Sequence, residues 1–383
     1  MITRIKSERI ILGDRIVSGY VYFGNEKIIA VGDEELPFDM GLDVGKSYVS
    51  PGFIDIHTHG GGGFNFVRSL DDVVNGCNFH LSHGTTSICP TISAAPMPVM
   101  EKAVEYIDLA KRDKRCMSNI LGAHMEGPYL SAEQCGGQCP DHITPPVAED
   151  YRSLIERHPG AVARWTYAPE NDRGGEFCRY VTERGIVASA GHTNAVGDDM
   201  TVAVKNGCRL VTHLYSCTST ITRDHGFRRL GVIESAYLDD NMYVEIIADG
   251  KHLPSELIKL ILKIKGVERV ALITDSLPPA GTDVKRGRSM VGTEFIIEDG
   301  VCKLLDRSAF AGSIATTDRL IRVMIGEVGV SLTDAVKMLT EIPARIMQQN
   351  KGVLAPGYDA DIIVFDGDIN MRDVFVMGRK VKI

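Results

Sequence analysis

The 383-residue chain carries 42 Lys and Arg against 50 Asp and Glu, for a formal charge of −8, and 44% of its residues are hydrophobic. That is an ordinary globular balance; it excludes the clustered basic charge of a nucleic-acid binder and the low hydrophobicity of a disordered chain. No stretch of about 18 apolar residues exists to span a membrane, and the charged residues 1–14 lack the apolar core of a secretory signal.

Residues 1–48 read as short strands: β-formers cluster at 9–12 and 17–22, and Gly24-Asn25 and Gly32-Asp33 mark turns. The far end repeats this at 361–365 and 374–381. Both termini are therefore expected to meet in one small β-sandwich domain, formed by 1–48 plus 350–383, with 49–349 inserted between them. Within the insert, apolar runs at 49–57, 85–92, 119–124, 163–168, 186–190, 210–214, 243–248 and 270–274 alternate with amphipathic segments such as 71–81, 97–111 and 253–263. Eight such repeats in about 300 residues predict a (β/α)8 TIM barrel; a doubly wound open sheet is the competing α/β architecture.

Ionisable residues gather where these runs end. His57 and His59 close the first, Glu126 follows the third, His192 the fifth, His213 the sixth, His252 the seventh and Asp275 the eighth. In a parallel barrel those ends open on one face, where loops build an active site. Positions i and i+2 of a strand share a face, so His57 and His59 can reach one ion, and the glycines at 60–63 leave the pair unscreened. His192 and His213 supply two more imidazoles, with the Glu126 carboxylate between the pairs. This donor set suits two divalent ions per chain, Zn, Fe or Mn, and the absence of nearby thiolates argues against a closed structural zinc site. Asp275 is expected to shuttle protons; its alternative is a helix cap, which Pro278-Pro279 disfavours. His124 shares a strand face with Glu126 and either supports it or simply packs. His80, His83, His142 and His158 lack ligand spacing and read as structural or solvated. Nine cysteines without a leader point to reduced thiols in the cytoplasm, and the four-residue step from Cys135 to Cys139 fits no zinc-ribbon or redox motif.

The strings carrying these residues are PGFIDIHTHG (51–60), HMEGPY (124–129), APE (168–170), SAGHTNA (189–195), THLY (212–215), IADGKH (247–252), ITD (273–275), FAGS (310–313), PAR (343–345) and GVLAPGYDAD (352–361). In this order the sequence resembles the amidohydrolase superfamily and, within it, the N-acetylglucosamine-6-phosphate deacetylases. The resemblance implies a metal-dependent barrel with a terminal β-sandwich, a metal held by Glu126, His192 and His213, and a second one at His57 and His59. It also implies Asp275 as acid and base, His252 as the group that binds and polarises substrate, a small amino-sugar substrate, and a homodimer. Departures concern the substrate side. Ser216-Cys217 replaces the usual Asn-Ala, and Gln138 stands where a substrate-binding His is usual. The phosphate-binding Arg has candidates at Arg223, Arg228 and Arg229; Phe310 joins the expected substrate residues. The implied reaction is removal of the N-acetyl group from an amino-sugar phosphate. Another N-acyl amino sugar or an N-acyl amino acid is the alternative substrate, and a catalytically silent binding barrel the alternative class.

Overall fold

A chain reversal of role at Gly52 separates the two parts of the molecule. In the computed structural model, which describes residues 1–289 and 292–382, Tyr48–Pro51 pairs antiparallel with Ile362–Phe365 in a terminal sheet, while Phe53–Thr58 begins a barrel. A Cβ on Gly52 would lie 2.1 Å from Thr86 Oγ1, so only glycine lets the chain cross that point.

The barrel strands are β1 (Phe53–Thr58), β2 (Thr85–Ser93), β3 (Ala123–Glu126), β4 (Val162–Tyr167), β5 (Val187–Ala190), β6 (Leu210–Val211), β7 (Tyr243–Ile247) and β8 (Val270–Ile273). Every neighbouring pair from β1 through β8 is parallel and hydrogen-bonded. β1 and β8 meet through a side chain. The buried Asp55 carboxylate accepts from the Thr274 hydroxyl at 2.6 Å and its N–H at 3.3 Å. Beyond it, the Asp275 N–H donates to the His57 carbonyl at 2.9 Å and the His59 N–H to the Ser276 carbonyl at 2.8 Å. An open doubly wound sheet has no such seam; the barrel expected from the eight repeats is the architecture present.

The chain ends build one eight-stranded sheet, and its strands come from both termini. Phe23 and Phe375 sit four strands apart along its pairing path, about 19 Å in a flat sheet at the usual strand spacing. Their rings are 5.3 Å apart. The sheet therefore rolls over its own core of Ile5, Ile10, Val21, Ile28, Val49 and Val364, making a sandwich-like body from a single hydrogen-bonded path. A four-stranded antiparallel insertion follows β8, at Arg286–Arg288, Glu294–Glu298, Val301–Leu304 and Phe310–Gly312; the sequence reading contained no such element. Among the described residues no helix is long and apolar enough to cross a membrane.

His80 anchors the helix Leu70–Leu81 behind the His57-Thr58-His59 run. Its fully buried ring places Nε2 2.9 Å from the Gly60 carbonyl and 3.2 Å from Thr58 Oγ1, and burial pushes its pKa down to about 4. Below pH 6.5 the unfolded chain takes up a proton here that the folded chain refuses until about pH 4. This group's stabilisation is therefore present above pH 6.5 and lost as pH falls towards 4. Urea unfolding at pH 7.5 and pH 5 should show His80→Gln losing about 2 kcal/mol less over that interval than the unsubstituted protein. Equal losses would mean that the folded protein accepts the proton.

Candidate active site

Three of the side chains at the barrel mouth leave backbone that turns out of the strand direction: φ is 47° at His192, 29° at His213 and 47° at Asp275. Such left-handed positions cost non-glycine residues energy, and here they swing three polar side chains towards one point. His57, His59 and Glu126 reach the same point from extended strand ends. The expected strand 119–124 is split in two, and Glu126 lies within β3 rather than after it. Gly122 makes the break, since a Cβ there would approach Ala163 Cβ to 2.7 Å.

Hydrogen bonds set the ring nitrogens. The Nδ1–H of His192 donates to the Gln134 carbonyl at 2.8 Å, and that of His213 to the Ser216 carbonyl at 3.0 Å. Each ring therefore turns an Nε2 lone pair inward. Those two Nε2 atoms are 3.2 Å apart, and they lie 3.2 and 3.0 Å from Glu126 Oε1. His57 Nε2 is 3.2 Å from the same oxygen, while His59 Nε2 is 3.2 Å from Glu126 Oε2 and 3.2 Å from Asp275 Oδ1. His57 is fully buried, and among the described residues neither ring nitrogen has a hydrogen-bond partner. Inward lone pairs, oxygens and an unsatisfied buried imidazole at such separations require positive charge between them. Two overlapping groups, His57-His59-Asp275 and His57-Glu126-His213, have donor atoms close enough to hold a cation. The residues fit divalent metal.

Electrostatics agree. Burial opposes a charged His57, but Glu126 and Asp275 override it and raise its pKa to about 10; His59 is raised against burial by the same two carboxylates. Glu126 is held well below the ordinary carboxylate range, its burial outweighed by His57 and His192, and Asp275 is lowered by His57 and His59. The site is built to hold positive charge.

Beneath it, Arg164 and Glu245 form a fully buried ion pair on β4 and β7. Arg164 also donates to the Ile56 carbonyl (3.0 Å), Thr212 Oγ1 (2.8 Å) and Ser189 Oγ (3.2 Å). Glu245 Oε2 stands 3.7 Å from His57 Nδ1. Of the two expectations for His124, packing is the one its contacts match: it bonds Thr91 Oγ1 at 3.1 Å and Thr166 Oγ1 at 2.7 Å, and its ring meets that of His57 edge-on at 4.6 Å. It is a packing floor.

Above the centre lies a cavity of about 760 Å³. His252 and Phe310 line it with ring centroids 4.9 Å apart, and the Asp249 carboxylate takes the His252 Nδ1–H at 2.9 Å. Ser216 and Cys217 line it too. Gln138 faces it but spends its amide on Glu126 (2.6 Å) and on the Ala94 N–H (2.9 Å). Arg223 and Arg228 stand on an exposed hairpin, Thr222–Asp224 and Phe227–Arg229, and do not line this chain's cavity; Arg229 is paired with Asp224 at 2.7 Å. The guanidinium groups that do line it are Arg68 and Arg288, and His142 joins them with a buried Nδ1 that has no partner among the described residues. Sequence reasoning missed Arg68, Arg288, Glu245 and Arg164, and gave Asp249, which stands in the strand-end string 247–252, no role of its own. Only the Asp249-to-His252 spacing, i to i+3, carried a local signal.

The description "Amidohydrolase family" matches residues 48–383. Homo sapiens N-acetylglucosamine-6-phosphate deacetylase is 30% identical over 381 residues, 96% of this chain and 90% of that protein. N-acetylgalactosamine-6-phosphate deacetylase of Shewanella sp. (strain ANA-3) is 30% identical over 331 residues, 86% of this chain and 82% of that one. A mutant N-acetyl-D-glucosamine-6-phosphate deacetylase from Mycobacterium smegmatis, solved with N-acetyl-D-glucosamine-6-phosphate, superposes with a TM-score of 0.90 at 27% identity, covering 99% of each chain. With the match running from the last N-terminal strand of the terminal sheet through the whole barrel and back into that sheet, the chain belongs to the amidohydrolase family.

Proposed function

We propose that this protein hydrolyses the N-acetyl group of an amino-sugar 6-phosphate, with N-acetylglucosamine-6-phosphate giving glucosamine-6-phosphate and acetate. One observation carries the reading: four imidazoles and Glu126 converge at the barrel mouth with Asp275 3.2 Å from His59 Nε2. His57, His59, Glu126, His192 and His213 would hold two divalent ions, of Zn, Fe or Mn. When bound, these would polarise the acetyl oxygen and acidify a water molecule. Asp275 takes the proton of the attacking water at its carboxylate and passes it to the amine nitrogen as the C–N bond breaks. Asp249 holds the His252 Nδ1–H, which leaves Nε2 for the substrate: it accepts from a sugar hydroxyl when neutral and donates to an oxyanion when protonated. Phe310 buttresses that ring, and Ser216 and Cys217 line the sugar side. Arg68 and Arg288 line the same cavity and would supply the guanidinium groups for a phosphate, whose oxygens guanidinium grips in pairs.

The nine free cysteines suit a reducing cytoplasm. A homodimer would cover the exposed hairpin, whose Phe227 is 77% exposed beside Arg228. A galactosamine-type substrate is the second reading, favoured by the 30% identity to a relative of that name, with Ser216 and Cys217 lining this chain's cavity.

Steady-state kinetics of metal-loaded protein separate these. The expected kcat/KM for N-acetylglucosamine-6-phosphate exceeds that for the unphosphorylated sugar by about 100-fold, the worth of one or two charge-assisted hydrogen bonds. Indifference to phosphate would sink the proposal, and a preference for the galactosamine epimer would select the second reading.

A further inference from the structure

Gln138 was expected to touch substrate, yet its side chain is committed on both sides. It lies on the loop after β3 and is only 8% exposed. The Ala94 N–H donates to it at 2.9 Å, so an oxygen must sit on that side of the amide. The other atom is then the NH2, which donates to Glu126 Oε2 at 2.6 Å. A backbone donor thus settles an amide orientation that is otherwise ambiguous.

The two oxygens of Glu126 have different neighbours. Oε1 faces Nε2 of His57, His192 and His213 at 3.2, 3.2 and 3.0 Å; Oε2 faces His59 Nε2 at 3.2 Å. A carboxylate's last torsion is broad, so nothing within Glu126 holds its plane across these two groups. The bond to Gln138 does. The loop carrying Gln138 is itself wedged. The Thr293 hydroxyl donates to the Gly137 carbonyl at 3.2 Å, a Cβ on Gly137 would come within 3.0 Å of Ala311 backbone, and one on Gly136 within 2.5 Å of Cys217 Sγ. The four-stranded insertion and the loop after β6 therefore both press Gln138 onto the carboxylate.

We propose that Gln138 is a positioning residue that aligns Glu126 across the two cation-binding groups, and that it is not a substrate contact. This rests on the two-ion reading above. An ion held by Oε1 with His192 and His213 keeps most of its donors without Gln138. An ion beside His57, His59 and Asp275 depends on Oε2 staying in place, so loss of Gln138 falls on that ion.

The test is Gln138→Met, similar in length but without hydrogen-bonding capacity, loaded with Mn²⁺. Affinities are measured by chelator competition, coupling between the ions by electron paramagnetic resonance, and KM and kcat at saturating Mn²⁺. Unsubstituted protein is expected to bind two coupled Mn²⁺. In Gln138→Met the weaker ion loses about 10–100-fold in affinity, the usual cost of removing a group that orients a ligand. The tighter ion is unchanged, one equivalent gives an uncoupled signal, and KM at saturating Mn²⁺ moves less than threefold. Unchanged affinities and coupling, with KM raised tenfold, would return Gln138 to the substrate and overturn the proposal. Should Gln138→Met fail to fold, Gln138→Ala, which only removes atoms, carries the same readouts. Unsubstituted protein taking up fewer than two Mn²⁺ would overturn the two-ion reading and this assignment together, whereas two coupled ions in both proteins overturn this assignment alone.

Discussion

Asp275→Asn should lower kcat by about 10²–10⁴, the span of general acid–base contributions, with KM within threefold of its starting value. Asparagine keeps the shape and one oxygen of Asp275 but cannot accept a proton from water or return it to an amine. The native carboxyl is poised for that work: burial alone would raise its pKa, but His57 and His59 hold it below the ordinary value, so it is ionised at neutral pH. Glu126, His192 and His213 do not depend on Asp275 for their arrangement, so the ion among them should remain. Steady-state kinetics with metal content measured on the same preparation check both halves. Near-normal turnover at full metal loading would remove Asp275 from the chemistry; lost turnover with lost metal would make it a ligand instead.

Arg164→Met should cost about 3–5 kcal/mol in denaturant unfolding, because it leaves Glu245 charged and unpaired in the barrel interior. Both side chains are fully buried, and Arg164 also satisfies the Ile56 carbonyl and two hydroxyls. The double variant Arg164→Met/Glu245→Leu removes the stranded charge and should recover at least half of that loss, since apolar replacements of buried ion pairs are often tolerated. Recovery of metal binding should not follow. Glu245 stands 3.7 Å from His57 Nδ1, and without it that side of the buried ring loses its neighbouring negative charge. Stability restored with metal affinity still about 10–100-fold down would separate the pair's two duties. A double variant that is stable and binds metal normally would reduce it to packing.

The barrel was legible because each parallel strand is buried on both faces and appears as a short apolar run; β1, with all six residues buried, is the plainest case. The ionisable side chains of the candidate site were legible for a related reason: in this architecture chemistry collects at strand ends, so His57, His59, His192, His213 and Asp275 declared themselves by position. The four-stranded insertion did not. Its strands, such as Arg286–Arg288 and Phe310–Gly312, are three to five residues long and partly exposed, too short for alternation to stand out.

Local pattern in the chain was therefore enough to settle the eight-fold repeat, the meeting of the two termini and the identity of six ionisable groups. Which oxygen of Glu126 meets which imidazole, that Gln138 bonds Glu126, that Arg68 and Arg288 line the cavity while Arg223 and Arg228 do not, and that an Arg164–Glu245 pair lies beneath His57 were decided only by folding. Those relations join residues from 12 to more than a hundred positions apart on different loops and strands. Their distances follow from how the barrel closes and how its loops pack on one another, and no stretch of adjacent residues contains that information.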